Sequence, residues 1–387
     1  MTIADRWLLP DGVEELLPKD AAKVEHLRRQ LLDLYQSWGY ELVIPPLLEY
    51  TESLLVGLGS DIDLQTFRVT DQLTGRMMGL RADITPQAAR IDAHSLGRDG
   101  VTRLCYAGSV LHTRPKSPLA SRSPIQLGAE LYGDSSTDSD LEIVCLMLQT
   151  LTVAGVQNLT LDLGHVGIYE SVVSGLDETT EQRYFSILQR KAAAELDSLL
   201  NELPLDDKIK RALAGLAELH GNDGVLARGR ELLKAYPRAV AAIGALEELA
   251  AQVRERFPGV ALYFDLAELR GYHYHTGAVF SALSSDCDRA LASGGRYDDI
   301  GRVFGRARPA TGFSIDLKAL LALLPDCTAA AAILAPNRKD ADLWHKVQSL
   351  RSSGEQVVFA LPGDTQVPVC DRELVFKDGD WHLVPRR

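Results

Sequence analysis

The stretch from Arg270 to Leu320 limits the possible folds most, because three glycine-bearing segments within it each demand close approach by another strand or by a ligand. It opens with Arg270-Gly271-Tyr272-His273-Tyr274-His275-Thr276-Gly277, runs into the apolar Ala278-Val279-Phe280 and, after a loop, reaches Gly294-Gly295-Arg296-Tyr297-Asp298. It closes with Gly312-Phe313-Ser314-Ile315-Asp316-Leu317-Lys318-Ala319-Leu320. Glycine pairs let backbone come near a partner where a Cβ would block it, and they mark turns or bulges for the same reason. Taken alone, Gly294-Gly295 reads as a hairpin turn. It is the order of the three segments that points to a built site. His273 and His275 could form a metal pair, yet no third ligand lies near them in sequence, and stable sites need three or four.

Upstream, Pro18 precedes a helix whose apolar positions Val24, Leu27, Leu31, Leu34 and Trp38 fall in steps of three and four, with Gly39 as a natural stop. Tyr40 to Ile44 reads as a strand ending at Pro45-Pro46, which cannot donate to a ladder and so mark an edge. Thr66 to Thr70 and Met77 to Leu80 flank the turn residues Asp71 to Arg76 and form a hairpin. In Arg81-Ala82-Asp83-Ile84-Thr85-Pro86 the proline is placed to open a helix, and Asp83 and Thr85 read either as caps or as ligand contacts.

Leu104 to Val110 is the next strand and Pro124 to Tyr132 its partner. Along the second, Gln126, Gly128 and Glu130 share one face, while Ile125, Leu127, Ala129 and Leu131 share the apolar, core-facing side. A glycine between an amide and a carboxylate leaves a side-chain-sized space that could cradle a cationic amino group beside a polar ring. An ordinary exposed strand face has the same pattern.

Ser139 and Glu142 have capping-box spacing at a helix from Leu141 to Leu151, and Leu159, Leu161 and Leu163 alternate with Thr160 and Asp162 as in a half-buried strand. From Tyr169 to Arg256 the pattern is helical, broken at Pro204, at Gly221 to Gly224 and at Pro237, which predicts a helical insertion over 169–257. Val260 to Phe264 then returns to a sheet. From Thr328 onward, a strand at Ala331 to Leu334, a helix around Leu343 to Leu350, a strand at Gln356 to Leu361 and a hairpin near Lys377-Asp378-Gly379-Asp380 make a small α/β segment. The expected organisation is therefore a core over 1–325 and a C-terminal segment over 326–387.

Together these segments resemble the class II aminoacyl-tRNA synthetase core of the histidyl type, which implies an α+β fold with an antiparallel sheet flanked by helices. In that family an Arg-Gly-x-x-Tyr-Tyr segment, a Gly-Gly-Arg-Tyr-Asp segment and a Gly-Phe-x-x-Gly-Leu-x-Arg segment follow one another, and a Gln-x-Gly-x-Glu strand matches Gln126, Gly128 and Glu130. The helix, strand and prolines from Pro18 to Pro46 are similar to the first class II motif, which implies a dimer interface. The resemblance implies an amino-acid pocket of Asp83, Thr85, Gln126, Glu130, Arg270 and Tyr274, with His275 in place of a second tyrosine. Asp83 stands where the family carries a glutamate, and Ala82 where it carries a proline.

The phosphate-handling positions depart from the family. Its Phe-Arg-x-Glu-Arg-Pro pattern aligns with Val110-Leu111-His112-Thr113-Arg114-Pro115, so the arginine that grips the ATP α-phosphate is Leu111 and the glutamate is Thr113. In the last segment the later glycine is Asp316 and the arginine is Ala319. An aliphatic side chain cannot replace a guanidinium on phosphate, and losing one preorganised charge-stabilising group typically costs ~2.7–4 kcal/mol in the barrier. Lys318 is one residue from the vacated arginine and, on a helix, would point about a quarter-turn away. A guanidinium from elsewhere in the chain reaching that vacated position would overturn the reading of a silent regulator.

A core that keeps an amino-acid pocket, loses its phosphate cations and is followed by no full anticodon-binding domain resembles the regulatory subunits of ATP phosphoribosyltransferase, a family of histidyl-synthetase paralogues. That resemblance implies a chain with no catalytic residues, cofactor or metal, dimeric within a hetero-octamer with a short-form catalytic subunit. It would activate that partner in the first step of histidine biosynthesis and convey feedback inhibition by histidine, a coupling of ~1–3 kcal/mol between sites. A truncated histidyl-tRNA synthetase and a free-standing amino-acid sensor are the alternatives. The net charge of −12 and the lack of an extended basic patch weigh against a nucleic-acid partner. Five scattered cysteines without a Cys-x-x-Cys fit a reducing cytoplasm, and no apolar run has the length of a membrane span.

Overall fold

The computed structural model describes residues 7–54, 60–115, 120–269, 271, 274–324, 331–363 and 369–386. Two compact units divide the chain, Met1–Pro325 and Asp326–Arg387. In the larger unit the strands are β1 (Glu41–Leu42), β2 (Leu48–Tyr50), β3 (Phe67–Thr70), β4 (Met77–Leu80), β5 (Thr102–Ser109), β6 (Ile125–Tyr132), β7 (Leu159–His165), β8 (His220–Gly221), β9 (Ala261–Asp265), β10 (Ala278–Ser284), β11 (Ala292–Arg296) and β12 (Ala310–Asp316). Nine of them form one sheet in the order β1-β5-β6-β12-β11-β10-β7-β9-β8, and β2, β4 and β3 form a small antiparallel sheet. The large sheet is antiparallel except where β1 meets β5 and β7 meets β9.

The alternation read along β6 fixes which side of this sheet is core. Leu127, Ala129 and Leu131, with Phe313 and Ile315 of β12 and Phe280 and Ala282 of β10, pack in the main hydrophobic cluster with the helices Pro18–Ser37, Thr137–Val153 and Pro237–Arg256. Period-two side-chain alternation then sends Gln126, Gly128 and Glu130 to the opposite face. Opposite them on β12 lie Asp316, Ser314 and Gly312, and next on β11 Ser293 and Gly295 pair with Ser314 and Gly312.

Several local expectations shift in place. The first helix begins at Pro18, whose missing N–H is no loss at a helix start. Its fourth core position is Tyr35, fully buried, while Leu34 and Trp38 flank the core half-buried. The strand expected over Tyr40 to Ile44 is reduced to Glu41–Leu42, running parallel to β5 at the sheet edge. The helix expected from Leu141 starts at Thr137, and Ser139 and Glu142 make no capping box. Ser139 Oγ instead donates to the carbonyl of Ser136 at 2.8 Å, and Glu142 holds Arg103 through two contacts of 2.7 Å. The hairpin turn between β3 and β4 is built as its composition predicts. Asp71 accepts from the Leu73 N–H and the Thr74 hydroxyl, and Gly75 takes φ +72°.

Between β7 and β10 the chain is largely helical, in the segments Val166–Val173, Glu178–Gln189, Ala193–Glu202, Asp207–Leu216, Gly224–Leu232 and Pro237–Arg256. The helical run is broken at Pro237 as expected, and that proline opens the last helix. In the smaller unit, β13 (Ala332–Ala335), β14 (Val357–Phe359), β15 (Cys370–Lys377) and β16 (Asp380–Pro385) pair in the order β14-β13-β15-β16. One helix, Ala341–Ser352, buries Leu343 and Val347 with Ile333, Leu374 and Trp381. Asp378 and Gly379, both at positive φ, turn its hairpin. No described helix is long and apolar enough to cross a membrane. Cys105, Cys145, Cys287 and Cys370 are free thiols, and Cys327 lies outside the described residues.

Candidate functional site

The segment after β4 is pinned before it reaches the site. Arg81 is buried and spends its guanidinium on backbone, donating to the carbonyls of Pro45 at 2.8 Å and Ser109 at 2.9 Å. This holds Asp83 against β6. Asp83 Oδ1 accepts from the Thr85 N–H at 2.9 Å and from Gln126 Nε2 at 2.8 Å, while Gln126 Oε1 accepts from the Ile84 N–H at 2.8 Å. One oxygen of Asp83 therefore does the capping work that its position before a helix suggested, and the amide of Gln126 is committed to the same segment.

A second chain of hydrogen bonds leads from Thr85 to Glu130. The Thr85 hydroxyl lies 3.0 Å from the Tyr106 hydroxyl, which donates to Glu130 Oε1 at 2.9 Å, and the Tyr297 hydroxyl donates to Oε2. Glu130 is 1% exposed. Burial pushes its carboxyl well above the ordinary range, the Tyr106 hydrogen bond opposes this and the Asp83 charge adds to it. The space over Gly128 is not an open cradle, because a Cβ there would meet the Tyr106 hydroxyl at 2.5 Å and the Phe313 carbonyl at 2.7 Å. Tyr106 pairs with Gly128 across the β5–β6 ladder, so the missing side chain on one strand makes room for the large one on the other.

Tyr274 stacks on Tyr297 at 5.1 Å between ring centroids, and its buried hydroxyl has no hydrogen-bond partner among the described residues. His275 stands edge-on to Tyr274 and fits between two glycines, since a Cβ at Gly271 or at Gly295 would lie 2.6 Å from the imidazole. The Gly294-Gly295 pair is thus a close-approach element inside β11. At Gly294 a Cβ would meet the Gly312 carbonyl at 2.1 Å and the Phe280 ring at 2.6 Å. Asp83, Thr85, Gln126, Glu130, Tyr274 and His275 are brought together on the face opposite the core. Arg270, together with Tyr272 and His273, lies outside the described residues. Tyr106 and Tyr297 are the members that sequence reading passed over; Tyr297 was in view in Gly-Gly-Arg-Tyr-Asp, and Tyr106 is marked only by its pairing with Gly128.

Beyond Gln126 lies a cavity of about 520 Å³, lined among others by Val110, His112, Arg289, Asp316 and Ala319. This is where the resemblance places nucleotide in a synthetase. Leu111 enters the fold through its N–H, which donates to the Arg81 carbonyl at 3.1 Å. Lys318 is turned to Glu14 and Ser123, at 3.1 and 3.0 Å. Arg289, in the β10–β11 loop, lines this cavity, and it was missed because nothing in that loop's pattern marks it. Asp316 lines the same cavity, which therefore carries one cation and one anion rather than a cluster of cations. Among the described residues no group of three or more His, Cys, Asp or Glu could hold a metal ion.

Both units of the chain resemble known proteins. A histidyl-tRNA synthetase family model matches residues 12–320, and a model of the ATP phosphoribosyltransferase subunit HisZ C-terminal domain matches residues 330–384. An ATP phosphoribosyltransferase regulatory subunit of Pseudomonas aeruginosa (strain LESB58) is 54% identical, covering 100% of this chain and 99% of its own length. The chain belongs to the ATP phosphoribosyltransferase regulatory subunit family. Another member, from Pseudomonas putida (strain F1), is 52% identical over the same shares of the two chains. A crystal structure described as an ATP phosphoribosyltransferase regulatory subunit/histidyl-tRNA synthetase from Bacillus halodurans superposes with a TM-score of 0.82 at 28% identity, covering 93% of this chain and 94% of its own. Histidyl-tRNA synthetase from Nostoc shares the fold, with a TM-score of 0.76 at 19% identity and coverage of 98% and 97%. The fold of this regulatory subunit is therefore a mixed α+β synthetase-like core with a helical insertion, followed by a small α/β unit.

Proposed function

We propose that this regulatory subunit catalyses no reaction itself, switches on a separate short-form ATP phosphoribosyltransferase catalytic chain, and carries feedback inhibition by histidine to it. The observation that carries the reading is the split between the two halves of the ancestral site. Groups suited to a small amino acid converge around Glu130, whereas Leu111 and Ala319 stand where the resemblance puts the phosphate-gripping arginines, and Ala319 shares its cavity with the carboxylate of Asp316. Histidine is assigned to the pocket of Asp83, Thr85, Gln126, Glu130, Tyr274 and His275, with Arg270 at the carboxylate. A solved complex described as ATP phosphoribosyl transferase (HisG:HisZ) from Thermotoga maritima contains a chain of this fold, with a TM-score of 0.59 at 20% identity. For this chain the matching partner is a catalytic subunit in a hetero-octamer, within which the regulatory chains pair as dimers. In support of pairing, Leu42, Ile44 and Leu47 around the β1 edge are 49%, 84% and 42% exposed, more apolar surface than a lone edge strand normally leaves bare.

Reconstitution with a short-form catalytic chain from the same genome tests this directly. The expected result is that phosphoribosyl transfer from phosphoribosyl pyrophosphate to ATP rises on adding the regulatory chain and falls again with histidine. The isolated chain should support no histidine-dependent pyrophosphate exchange with ATP, and clear exchange would restore the synthetase reading.

A further inference from the structure

The cavity beside Gln126 holds two opposite charges that do not use one another. Asp316, at the end of β12, anchors one oxygen by accepting from the N–H groups of Ile125 at 3.1 Å and Lys318 at 3.0 Å. Burial pushes the Asp316 carboxyl above its usual range, opposed by those two N–H groups and then by the charge of Arg289, yet among the described residues Asp316 and Arg289 form no ion pair. Between them the walls are small, with Ala82, Ala292 and Ala319, and the floor carries the hydroxyls of Ser293 and Ser314 on neighbouring strands. His112 is fixed in the wall by a hydrogen bond of 2.9 Å between Nε2 and the Ala82 carbonyl.

We propose that this cavity is a second ligand site, for a small zwitterion whose cationic nitrogen meets Asp316 and whose anionic group meets Arg289. The volume suits it, since small-molecule pockets run from about 300 to 1,000 Å³. The charge pattern suits it as well. A nucleoside triphosphate brings several negative charges to a cavity whose one guanidinium is offset by a carboxylate, whereas a zwitterion satisfies both ends and leaves neither charge without a partner. The site goes beyond the histidine pocket assigned above, from which it differs in every charged group; Gln126 is the wall between them.

The test is calorimetric titration of the full chain with the standard free amino acids, and with AMP and ATP as anionic probes. Three variants accompany it: Asp316→Asn, Arg289→Met and, in the neighbouring pocket, Glu130→Gln. Asparagine keeps the oxygen that accepts from Ile125 and Lys318, and Arg289 lies on a half-buried loop, so thermal midpoints should stay near the parent's. The expected result is an amino acid whose affinity falls at least about tenfold in both cavity variants and is unchanged in Glu130→Gln. No such ligand, or one that responds to Glu130→Gln alone, overturns the proposal while leaving the histidine pocket standing. AMP or ATP binding as well as any amino acid, with affinity unchanged or improved by Asp316→Asn, overturns it too. The histidine reading fails separately, if histidine binding ignores Glu130→Gln.

Discussion

Gly312 and Glu130 face each other across the ladder between β12 and β6, and a Cβ on Gly312 would stand 1.7 Å from Oε2 of Glu130 and 2.6 Å from the Tyr297 hydroxyl. The glycine is therefore what lets a buried carboxylate and two tyrosines occupy the centre of the sheet. Gly312→Ala forces either the carboxylate or the strand to move in a packed interior, a kind of overpacking that typically costs about 1–3 kcal/mol. The expected outcome in urea unfolding is a loss of that size, part of which returns in the Gly312→Ala, Glu130→Ala double variant. Equal stability of Gly312→Ala and the parent would mean that the contact is not tight.

Glu130 itself carries a pH signature. Its folded-state pKa is raised well above the ordinary value, so ionising it destabilises the fold as pH rises above the unfolded carboxylate value near ~4.3. Glu130→Gln removes that titration and keeps groups able to pair with both tyrosine hydroxyls. The variant should unfold at a higher temperature than the parent at pH 8, and the difference should shrink toward pH 5. A constant difference across that range would show that Glu130 is not the group responsible. In the same variant histidine should bind at least about tenfold more weakly, because a charge-assisted contact is worth ~1.5–3 kcal/mol.

Much of this site was legible because its residues come from strands with clean alternation. Gln126 and Glu130 share a face in the sequence and in the structure, and Asp83 sits just before a helix that Thr85 opens, where a short polar pair has work to do. The occupant of the space over Gly128 was not legible. A glycine in a strand announces that something comes close, but not whether it is a ligand or the protein's own Tyr106. The capping box failed for a related reason. Ser139 and Glu142 have the right spacing, yet both are drawn to buried or half-buried arginines, Arg296 and Arg103, contributed by other strands. Arg289 could not be found from sequence at all, since its role depends on where a loop falls over the sheet.

His165 closes β7 and caps the helix Val166–Val173, its Nδ1 accepting from the Gly167 N–H at 3.1 Å. Burial, and secondarily the charge of Arg296, pushes its pKa down to about 4. A histidine whose folded value lies below the unfolded one, near ~6.5, stabilises fully above that value, and the contribution is lost as pH falls toward the folded value. Protonation would also remove the acceptor. The expected loss between pH 6.5 and 4 is at most about 3 kcal/mol. His165→Asn keeps an acceptor that does not titrate, so its stability should fall less steeply over this window. Parallel curves for parent and variant would remove His165 as the cause.

Arg296, the arginine of Gly-Gly-Arg-Tyr-Asp, points away from the ligand face and is buried. Its Nε donates to Asp140 at 3.1 Å, one terminal nitrogen to the Ser139 hydroxyl at 2.7 Å and to the Ser136 carbonyl at 3.1 Å, and the other to the Asp134 carbonyl at 3.0 Å. It thus ties the end of β11 to the start of the helix Thr137–Val153, and the next residue, Tyr297, is delivered to Glu130. Removing one member of a buried charge pair strands the other, at a cost of about 3–5 kcal/mol. Arg296→Met should therefore lose stability on that scale and weaken histidine binding through Tyr297. Arg296→Lys should recover little, because a single ammonium cannot reproduce a planar fork that reaches the carboxylates of Asp140 and Asp298, a hydroxyl and two carbonyls at once. Adding Asp140→Leu to Arg296→Met should return stability by removing the stranded charge, but not histidine affinity, since nothing would then fix the strand that presents Tyr297. Recovery of both by the double variant would place the arginine's role in charge balance alone.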